Sequence, residues 1–495
     1  RFVAYMSSRK FNEYKGLDLP QLGREVLEVW DRENTFGRSI TEREGAPAFI
    51  FYEGPPSANG LPGIHHVLSR TIKDTICRYK TQQGYLVRRK AGWDTHGLPV
   101  ELGVEKKLGI TKEDIGHKIS IEEYNRTCRE AVMEFTGVWE ELTRKMGYWV
   151  DMKHPYITYE NKYIETLWWM LKQLFDKGLL YKGYTIQPYS PAAGTGLSNH
   201  ELNQPGCYRD VKDTTCTAQF EIIRDERSEF LFDDAQGTLY FLAWTTTPWT
   251  LPSNTALAVG DNIEYVRVKC LNPYTQQPQT VILAKELLPA YFTPKMEGTY
   301  SIGERIYKGS ELVGIRYRQL IDWVKPMGDA FRVISGDYVT TVDGTGIVHI
   351  APTFGADDDR VGKQAGIVPM YVVDRAGKNQ PMVDRRGRLF RIEDMDPDFV
   401  AKYVDAERYR EWAGRFVKNA YDPSLGPDDP TLDIDIAVML KGEGKAFKIE
   451  KHTHSYPHCW RTDKPVLYYP LDSWFIRTTA LRERLMELND TIDWK

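Results

Sequence analysis

The sequence has 495 residues, of which 41% are apolar and 27% charged, and its formal net charge is -4. A chain of this length is too long for one hydrophobic core, so about three domains are expected, and its mildly acidic balance excludes a global attraction to nucleic acid. Six widely spaced cysteines without a C-x-x-C pair exclude a disulfide framework, no apolar run reaches the ~18–20 residues that span a bilayer, and a cytoplasmic protein is predicted.

The N-terminal region starts with a basic segment, in which Arg1, Arg9 and Lys10 come before any acid. We interpret this segment as a leader ahead of Met6, with a transit-peptide remnant as the alternative. Apolar residues then recur at helical spacing over 19–36 and predict an amphipathic helix that packs on the body of the protein.

A run of apolar β-formers over 49–52 predicts a buried strand, and a loop rich in glycine, proline and asparagine follows it. His65 and His66 then open a predicted helix that runs to about Lys80. A strand, a tight loop and a helix N-terminus together form a place to hold phosphate, because unpaired N–H groups and the helix dipole point at the ligand. An ordinary βα unit with two incidental histidines is the alternative interpretation.

A second loop, over 92–101, is dense in glycine, tryptophan, aspartate and histidine, and it precedes a predicted helix. This composition favours a functional site, since a rigid frame can shape the backbone of a loop freely. Helical patterns follow to about Met146 and again over 163–177. Trp168 and Trp169 of the latter helix are expected to be core residues that cover the sheet.

From about Tyr184 the pattern changes to short alternating strands with frequent glycine and proline. It predicts a β-rich inserted domain of roughly 240 residues. Its strands are predicted over 238–244, 264–268 and 346–350. A helix-like and then a strand-like pattern returns from Thr431, and an amphipathic helix is predicted over 474–495.

Four motifs together resemble those of one family. They are G-I-H-H at 63–66, G-W-D-T-H-G-L-P at 92–99, T-T-T-P-W-T-L-P-S-N at 245–254 and G-T-G-I-V-H-I-A-P at 344–352. Their wording and order are similar to those of class I isoleucyl-tRNA synthetases; valyl and leucyl relatives share the architecture, but the second motif resembles the isoleucyl branch. The resemblance implies an α/β fold, in which the first half of a Rossmann-type catalytic domain is interrupted by a β-rich editing domain.

The resemblance also implies a division of the chain and an activity. The expected parts are an N-terminal helical segment (1–45), the first half of the catalytic domain (46–185), the inserted editing domain (186–440) and a return to the catalytic domain (441–495). The implied enzyme is a monomer without a membrane partner, which activates isoleucine with ATP and Mg²⁺, transfers it to tRNA(Ile) and hydrolyses misactivated valine. A second site is needed because one methylene is worth only ~1–3 kcal/mol in an apolar pocket, isoleucyl enzymes being the standard example of this limit. A stand-alone editing hydrolase or tRNA-binding fragment without synthesis is the alternative.

The nucleotide signature departs from the family pattern. The family has H-I-G-H where this chain has Gly63, Ile64, His65 and His66, so the first histidine and the glycine are exchanged. By resemblance, Gly63, His65 and His66 bind ATP, and the two histidines are catalytic. Three readings stay open: His65 replaces the missing imidazole in a reshaped nucleotide pocket, the exchange is neutral because His66 suffices, or activity is impaired.

The resemblance assigns the isoleucine site to Gly54, Pro55, Asp94 and His96. A desolvated α-ammonium group needs a carboxylate partner, which supports Asp94. Pro55 offers an apolar wall, and His96 is expected to orient the loop. The alternative role for Asp94 is a helix cap, since it precedes a helix start.

The editing site implied by the resemblance draws on three separate motifs. Its residues are Thr245, Thr246, Thr247 and Asn254 as lining, His349 beside the substrate, and Asp358 as the partner of the substrate's ammonium group. Three consecutive aspartates occupy 357–359, and a count of nine residues from His349 selects Asp358. Hydroxyls beside a histidine also suggest a Ser/Thr hydrolase triad. We prefer attack by an oriented water, because no threonine has an obvious dedicated base.

Many relatives carry a zinc knuckle at the two ends of the insert. Here the entry reads Ser190-Pro191-Ala192-Ala193 and the exit Cys459-Trp460-Arg461-Thr462, so three of the four ligands are missing. Structural zinc needs four N or S donors, and we therefore predict no structural zinc. A rebuilt site that uses His454 and His458 beside Cys459 is the alternative.

The second signature of the family, K-M-S-K-S, does not occur in this sequence. Its lysines act on the phosphates in the relatives, so the chain by itself is not expected to activate isoleucine. We interpret the sequence as a fragment, or as the ordered portion, of a longer enzyme.

Overall fold

The computed structural model describes residues 16–293, 296, 298–426 and 429–492. They fall into two compact units, Arg1–Leu180 (unit 1) and Tyr181–Lys495 (unit 2). The basic segment with Arg1, Arg9 and Lys10 lies outside the described residues. In the described part of the chain, no helix combines the length and the apolar character that a membrane crossing needs.

Unit 1 is mainly helical around a short parallel pair of strands. Its elements are α1 (Leu19–Arg32), α2 (Thr35–Thr41), α3 (Ile64–Gln82), β1 (Lys90–Trp93), α4 (Leu98–Leu108), α5 (Ile121–Val132), α6 (Thr136–Lys145), β2 (Asp151–Ile157) and α7 (Asn161–Asp176). β1 and β2 pair in parallel, and their crossover carries α4 to α6, as a parallel pair requires. Gly92 pairs with Tyr156, and a Cβ at this position would lie 2.3 Å from the Tyr156 ring, so only glycine fits.

Two predictions for the first sixty residues need correction. The helix predicted over 19–36 is confirmed in its first part but breaks at Asn34, whose φ of 48° is left-handed. The buried strand predicted over 49–52 is wrong: one parallel bridge joins Ala48 to Leu86, while Ile50 and Tyr52 are 73% and 89% exposed. β-forming residues make a strand only where a neighbour offers hydrogen bonds, and no described strand runs beside this stretch.

The predicted core position of the α7 tryptophans is also wrong. The helix itself is confirmed, but Trp168 and Trp169 are 70% and 63% exposed. Ile164, Leu171, Gln173 and Leu174 are the partly buried residues of this helix. Periodicity identifies a helix, but it does not show how many of its sides are covered within a given unit.

Unit 2 is built on β-sheets. Its strands are β3 (Leu180–Ser190), β4 (Thr195–Gly196), β5 (Tyr208–Glu221), β6 (Thr238–Thr245), β7 (Ala256–Val259), β8 (Glu264–Leu271), β9 (Pro278–Ala284), β10 (Ser301–Lys308), β11 (Arg332–Ser335), β12 (Ile347–Ile350), β13 (Tyr371–Val373), β14 (Asn379–Pro381), β15 (Ala446–Pro457) and β16 (Leu467–Ile476). Its helices are α8 (Asn199–Leu202), α9 (Leu288–Tyr291), α10 (Gly309–Leu312), α11 (Ala356–Ala365), α12 (Pro397–Tyr403), α13 (Ala406–Tyr409), α14 (Leu432–Gly442) and α15 (Arg482–Asn489).

The arrangement of two sheets determines where the candidate site of unit 2 lies. A six-stranded sheet has the order β10-β8-β9-β6-β5-β15, and a three-stranded sheet has the order β11-β7-β12. The main core of unit 2 includes inward side chains of both sheets, such as Phe241 and Leu257. β6 ends beside β12, so the loop after β6 and the end of β12 come together.

The predicted strands over 238–244, 264–268 and 346–350 are confirmed as β6, β8 and β12, and α14 and β15 confirm the pattern after Thr431. The helix predicted over 474–495 is wrong in its first part, because Trp474 lies in β16 and helical structure starts with a 3₁₀ turn over Thr478–Leu481 ahead of α15. β15 pairs with β5 and β16 with β3, so residues 441–492 group with unit 2. The domain limits at 45, 185 and 440 stay predictions.

Candidate functional sites

The loop between residues 53 and 63 is held through its carbonyl oxygens. Four of them accept hydrogen bonds: Glu53 O from the Tyr156 hydroxyl (3.0 Å), Pro56 O from Asp94 N–H (3.0 Å), Ala58 O from Phe135 N–H (3.0 Å) and Gly60 O from Trp139 Nε1–H (2.9 Å). The N–H groups from Ser57 to Leu61 donate to no acceptor among the described residues. A loop that is held through several of its carbonyls and has open N–H groups ahead of a helix suits an anion.

Contacts at the start of α3 determine the protonation state and the tautomer of His66. Gly63 is the N-cap residue, and its N–H donates to His66 Nδ1 over 2.9 Å. Burial, and then the charges of His65 and Arg70, lower the pKa of His66, so its imidazole is neutral at neutral pH. Because Nδ1 accepts, the proton sits on Nε2, which is left as a hydrogen-bond donor.

His65 occupies the space above Gly63. Its ring centroid lies 3.8 Å from that of His66, and its side chain is exposed. A Cβ built on Gly63 would lie 2.8 Å from His65 Cε1, a distance that real Cβ atoms do not show. A side chain at position 63 would therefore have to move the exposed His65 ring aside.

Glu53 is an anchor of the loop that the sequence interpretation missed. Its carboxylate is 6% exposed, and it pairs with Lys73 Nζ at 2.6 Å and accepts from the Tyr148 hydroxyl at 2.7 Å. The pair fixes the start of the loop to α3. An acid at the end of an apolar run, directly before Gly-Pro-Pro, is the signal that points to it.

The residues assigned to isoleucine gather beside this loop. Asp94 follows β1, and its backbone N–H bond to Pro56 O brings it next to Gly54 and Pro55. Its side chain is exposed and makes no hydrogen bond or ion pair with the described residues. The helix-cap alternative is wrong, because α4 begins at Leu98 with Gly97 as its N-cap.

His96 is tied to the body of unit 1. Its Nδ1 lies 3.1 Å from Thr158 Oγ1, which also accepts the N–H of Thr95 at 3.0 Å. Thr158 directly follows β2. The contact links the loop after β1 to the end of β2, in keeping with an orienting role for His96.

Unit 2 contains a cavity of about 310 Å³ between the end of β6, β12 and the start of α11. Five of the residues assigned to editing line it: Thr245, Thr246, Thr247, His349 and Asp358. Asn254 lies behind His349 rather than on the cavity wall. Residues more than a hundred positions apart in the sequence therefore meet around one space.

The threonine segment is organised by its own hydroxyls. Thr245 Oγ1 accepts the N–H of Thr247 at 3.1 Å, and the two hydroxyl oxygens are 3.3 Å apart. Thr250, which had no assigned role, donates its hydroxyl to Thr247 O at 2.8 Å and lies 2.9 Å from His349 Nε2. Its position inside the T-T-T-P-W-T motif was the available signal.

His349 is buried, and both of its ring nitrogens are occupied. The Tyr317 hydroxyl donates to Asn254 Oδ1 at 2.7 Å, which orients the Asn254 amide so that Nδ2 faces His349 Nδ1 at 3.4 Å. Nδ1 then accepts, and Nε2–H donates to Thr250. Burial lowers the pKa of His349 to about 4, so the ring is neutral at neutral pH. A histidine that donates to a threonine cannot take its proton, which disfavours the hydrolase triad.

Asp358 is the aspartate of the triplet 357–359 that faces the cavity. Its Oδ1 accepts the Tyr338 hydroxyl at 3.1 Å and its Oδ2 accepts Ala351 N–H at 2.9 Å. Burial raises the pKa of Asp358 to about 6 against these two hydrogen bonds. Asp357 instead pairs with Arg360 on the exposed side of α11, and the buried Asp359 pairs with Lys363. Tyr338 carried no sequence signal.

The residues proposed for a rebuilt zinc site are engaged elsewhere. Cys459 is buried with Leu197, Leu202 and Val466, and His454 Nε2 pairs with Asp213 at 3.2 Å. No group of three or more histidine, cysteine or acidic residues in the described ranges is placed to hold a metal ion. These residues do not fit a tetrahedral zinc site, and the absence of zinc remains a prediction for a metal assay.

Comparison with known proteins identifies the family. Residues 25–495 match the tRNA synthetases class I (I, L, M and V), and the chain belongs to this family. The predicted class I α/β fold is thereby confirmed.

Several isoleucine–tRNA ligases are similar to this chain. Those of Bacteroides fragilis and Porphyromonas gingivalis are 64% and 63% identical over 99% of this chain and 44% of their own length. That of Clostridium tetani is 43% identical over 97% of this chain and 41% of its own length. The chain thus spans less than half the length of these relatives. A solved structure titled "The crystal structure of GlLeuRS-CP1" covers 48% of this chain and 99% of its own at a TM-score of 0.31 and 14% identity, too weak a likeness to support an argument.

Proposed function

We propose that this chain is part of an isoleucine–tRNA ligase, which activates isoleucine with ATP, transfers it to tRNA(Ile) and hydrolyses valyl products in unit 2. The observation that carries the proposal is the cavity of unit 2, where the threonine segment, His349 and Asp358 converge. The choice of isoleucine rests on the names of relatives up to 64% identical. Six free cysteines support a cytoplasmic enzyme, and we retain the expectation of a monomer.

In activation, a carboxylate oxygen of isoleucine attacks the α-phosphorus of ATP, and pyrophosphate leaves. The open N–H groups after Pro56 and the Nε2–H of His66 are donors for the phosphate oxygens, whose charge Mg²⁺ helps to balance. Asp94 accepts the α-ammonium group, because its exposed carboxylate has no described partner. Gly54 and Pro55 line the side-chain end of this site.

His65 is assigned the role of the missing first imidazole. Its ring fills the space that a side chain at Gly63 would need, so the two exchanged residues compensate each other sterically. This arrangement supports the reshaped pocket among the three readings. The paired rings of His65 and His66 then act together on the phosphates.

In editing, the oxygen of a water attacks the ester carbonyl carbon of valyl-tRNA, the bond from that carbon to the ribose oxygen breaks, and the ribose oxygen takes up a proton. Asp358 holds the ammonium group of the valyl moiety, and its pKa of about 6 leaves it ionised at neutral pH. The hydroxyls of 245–247 orient the water. His349 positions Thr250 and does not act as the base, because both of its nitrogens are engaged.

The open N–H groups of the signature loop favour a synthetase over an editing-only hydrolase, which has no use for a phosphate site. The test uses the full-length protein and measures isoleucine-dependent ATP–pyrophosphate exchange and the deacylation of Val-tRNA(Ile). Both activities are expected. Deacylation without exchange would support the editing-only alternative. The absence of both activities would overturn the proposal.

A further inference from the structure

A buried carboxylate of α14 holds the turn that follows the threonine segment. This 3₁₀ turn, Pro248–Ser253, is buried along its whole length. The N–H of Trp249 within it donates to Asp433 Oδ1 at 2.8 Å, and the Asp433 side chain is 2% exposed. The contact joins two parts of the chain that are 184 residues apart.

Asp433 is not needed to build its own helix. Thr431 is the N-cap residue of α14, and its hydroxyl oxygen accepts the N–H of Ile434 at 3.3 Å. A buried carboxylate is an unfavourable choice for stability alone, since an apolar side chain of similar volume usually does as well or better. Its presence therefore calls for a role outside the helix.

A series of charged side chains compensates the buried negative charge of Asp433. Lys418 Nζ lies 3.5 Å from Asp433 Oδ2 and 3.0 Å from Asp213 Oδ2, and Asp213 in turn pairs with His454. Lys418 is itself buried, and the nearby carboxylates hold its pKa above the ordinary value against the effect of burial. The ion pair between Lys418 and Asp433 keeps the Asp433 carboxylate oriented toward the Trp249 N–H.

The tethered turn presents two parts of the hydrolytic cavity. Thr250 comes directly after Trp249, and its hydroxyl bridges His349 Nε2 and Thr247 O. The Trp249 ring packs edge-on against Phe354, a residue of the cavity wall, with centroids 5.0 Å apart. A shift of this turn would therefore move both a polar group and an apolar wall of the site.

We infer that Asp433, oriented by Lys418, is a positioning residue for editing: its hydrogen bond to Trp249 N–H sets the place of Thr250 and thereby of His349. The inference rests on the proposed hydrolysis of valyl-tRNA in this cavity. Displacement of reacting groups by about 1 Å costs on the order of 100-fold in rate. Loss of the hydrogen bond at Trp249, the residue next to Thr250, should therefore have a measurable effect on deacylation.

The test compares two double variants of the full-length protein that differ in one property. Asp433→Asn/Lys418→Met and Asp433→Leu/Lys418→Met both remove the buried charges, but only the first keeps an acceptor for Trp249 N–H. The Leu variant is expected to lose about ten-fold or more in the kcat of Val-tRNA(Ile) deacylation relative to the Asn variant, with little change in KM. Isoleucine-dependent ATP–pyrophosphate exchange should be the same in both.

Controls separate positioning from folding. Asp435→Ala alters an acid of the same helix that pairs with Arg415, and it should deacylate like the wild type. Asp433→Asn alone keeps the acceptor and must retain deacylation even if the Leu variant does not fold. Equal kcat values in the two double variants, or loss of deacylation in Asp433→Asn, would overturn the inference. A wild-type protein without deacylation would instead refute the proposed function.

Discussion

The signature loop of unit 1 and the cavity of unit 2 differ in how far their hydrogen bonds are already satisfied. In the loop, the carbonyl oxygens of Glu53, Pro56, Ala58 and Gly60 accept hydrogen bonds, while the N–H groups from Ser57 to Leu61 have no described acceptor. In the cavity, His349 and Asp358 have protein partners on both of their polar atoms. The loop is thus a set of donors that a phosphate ligand would complete, whereas the polar side chains of the cavity are already held in place by protein partners.

The first prediction removes the ammonium partner from the cavity. Asp358→Ala should lower the deacylation of Val-tRNA(Ile) by on the order of 100-fold or more, because the substrate ammonium group would lose its charged hydrogen-bond acceptor. Isoleucine-dependent ATP–pyrophosphate exchange should not change. Asp357→Ala is the matched control, since this neighbouring acid faces Arg360 and not the cavity. An active Asp358→Ala enzyme would remove the assignment.

The second prediction concerns the exchanged residues of the loop. Gly63→His places a side chain against the His65 ring, and His65→Gly removes one imidazole. Each single change should reduce ATP–pyrophosphate exchange by about 10- to 100-fold, because a donor to the transition state is displaced or lost.

The double variant with both changes recovers the H-I-G-H order of the family and should regain most of the exchange activity. Such non-additivity is the signature of two coupled positions. Additive losses would show that His65 and Gly63 do not compensate each other. Deacylation of Val-tRNA(Ile) serves as the internal control, because all three variants leave unit 2 intact.

The third prediction is the pH dependence of editing. The raised pKa of Asp358, about 6, means that its carboxylate is ionised above this pH and progressively protonated below it. The kcat/KM of deacylation should therefore fall as the pH drops through about 6, by roughly ten-fold for each further pH unit. A profile that stays flat down to pH 5 would contradict a charged role for Asp358. The low pKa of His349 excludes it as the source of a transition near pH 6.

The fourth prediction has the smallest effect. Thr250→Val removes the hydroxyl between His349 and Thr247 with little change of volume, and it should lower deacylation by about five- to ten-fold through the loss of the hydrogen bonds to His349 and to Thr247 O. Thr255→Val is the control, because the Thr255 hydroxyl is buried and has no hydrogen-bond partner among the described residues. Equal rates in the two variants would show that Thr250 does not position His349.

The sequence predicted the site-bearing loops better than the elements around them. Glycine, proline, histidine and aspartate at motif spacing selected the residues 54–66, 92–101, 245–254 and 349–358, and the structure brings several of them together at the signature loop and around the cavity. The strand over 49–52 and the core role of Trp168 failed for a common reason. Apolar composition indicates what a segment can bury, while burial itself depends on which neighbours the fold supplies.

The supporting residues could not be predicted from local pattern. Tyr338 reaches Asp358 across 20 residues and Asp433 reaches Trp249 across 184, so no periodicity or spacing connects them. Glu53 follows the apolar run 49–52 and Thr250 lies inside the threonine motif, but their roles depend on contacts with Lys73 and His349 that only the folded chain provides. Partners of this kind are set by tertiary structure.

The central claim is that synthesis depends on the signature loop of unit 1 and editing on the cavity of unit 2. The accumulation of mischarged tRNA tests this claim most directly. Full-length wild-type protein and its Asp358→Ala variant would be incubated with ATP, valine and tRNA(Ile), and Val-tRNA(Ile) would be measured over time. We expect Val-tRNA(Ile) to accumulate with the variant and to stay near background with the wild type, while isoleucine charging is equal in both. Absence of accumulation with the variant, at normal isoleucine charging, would contradict the account.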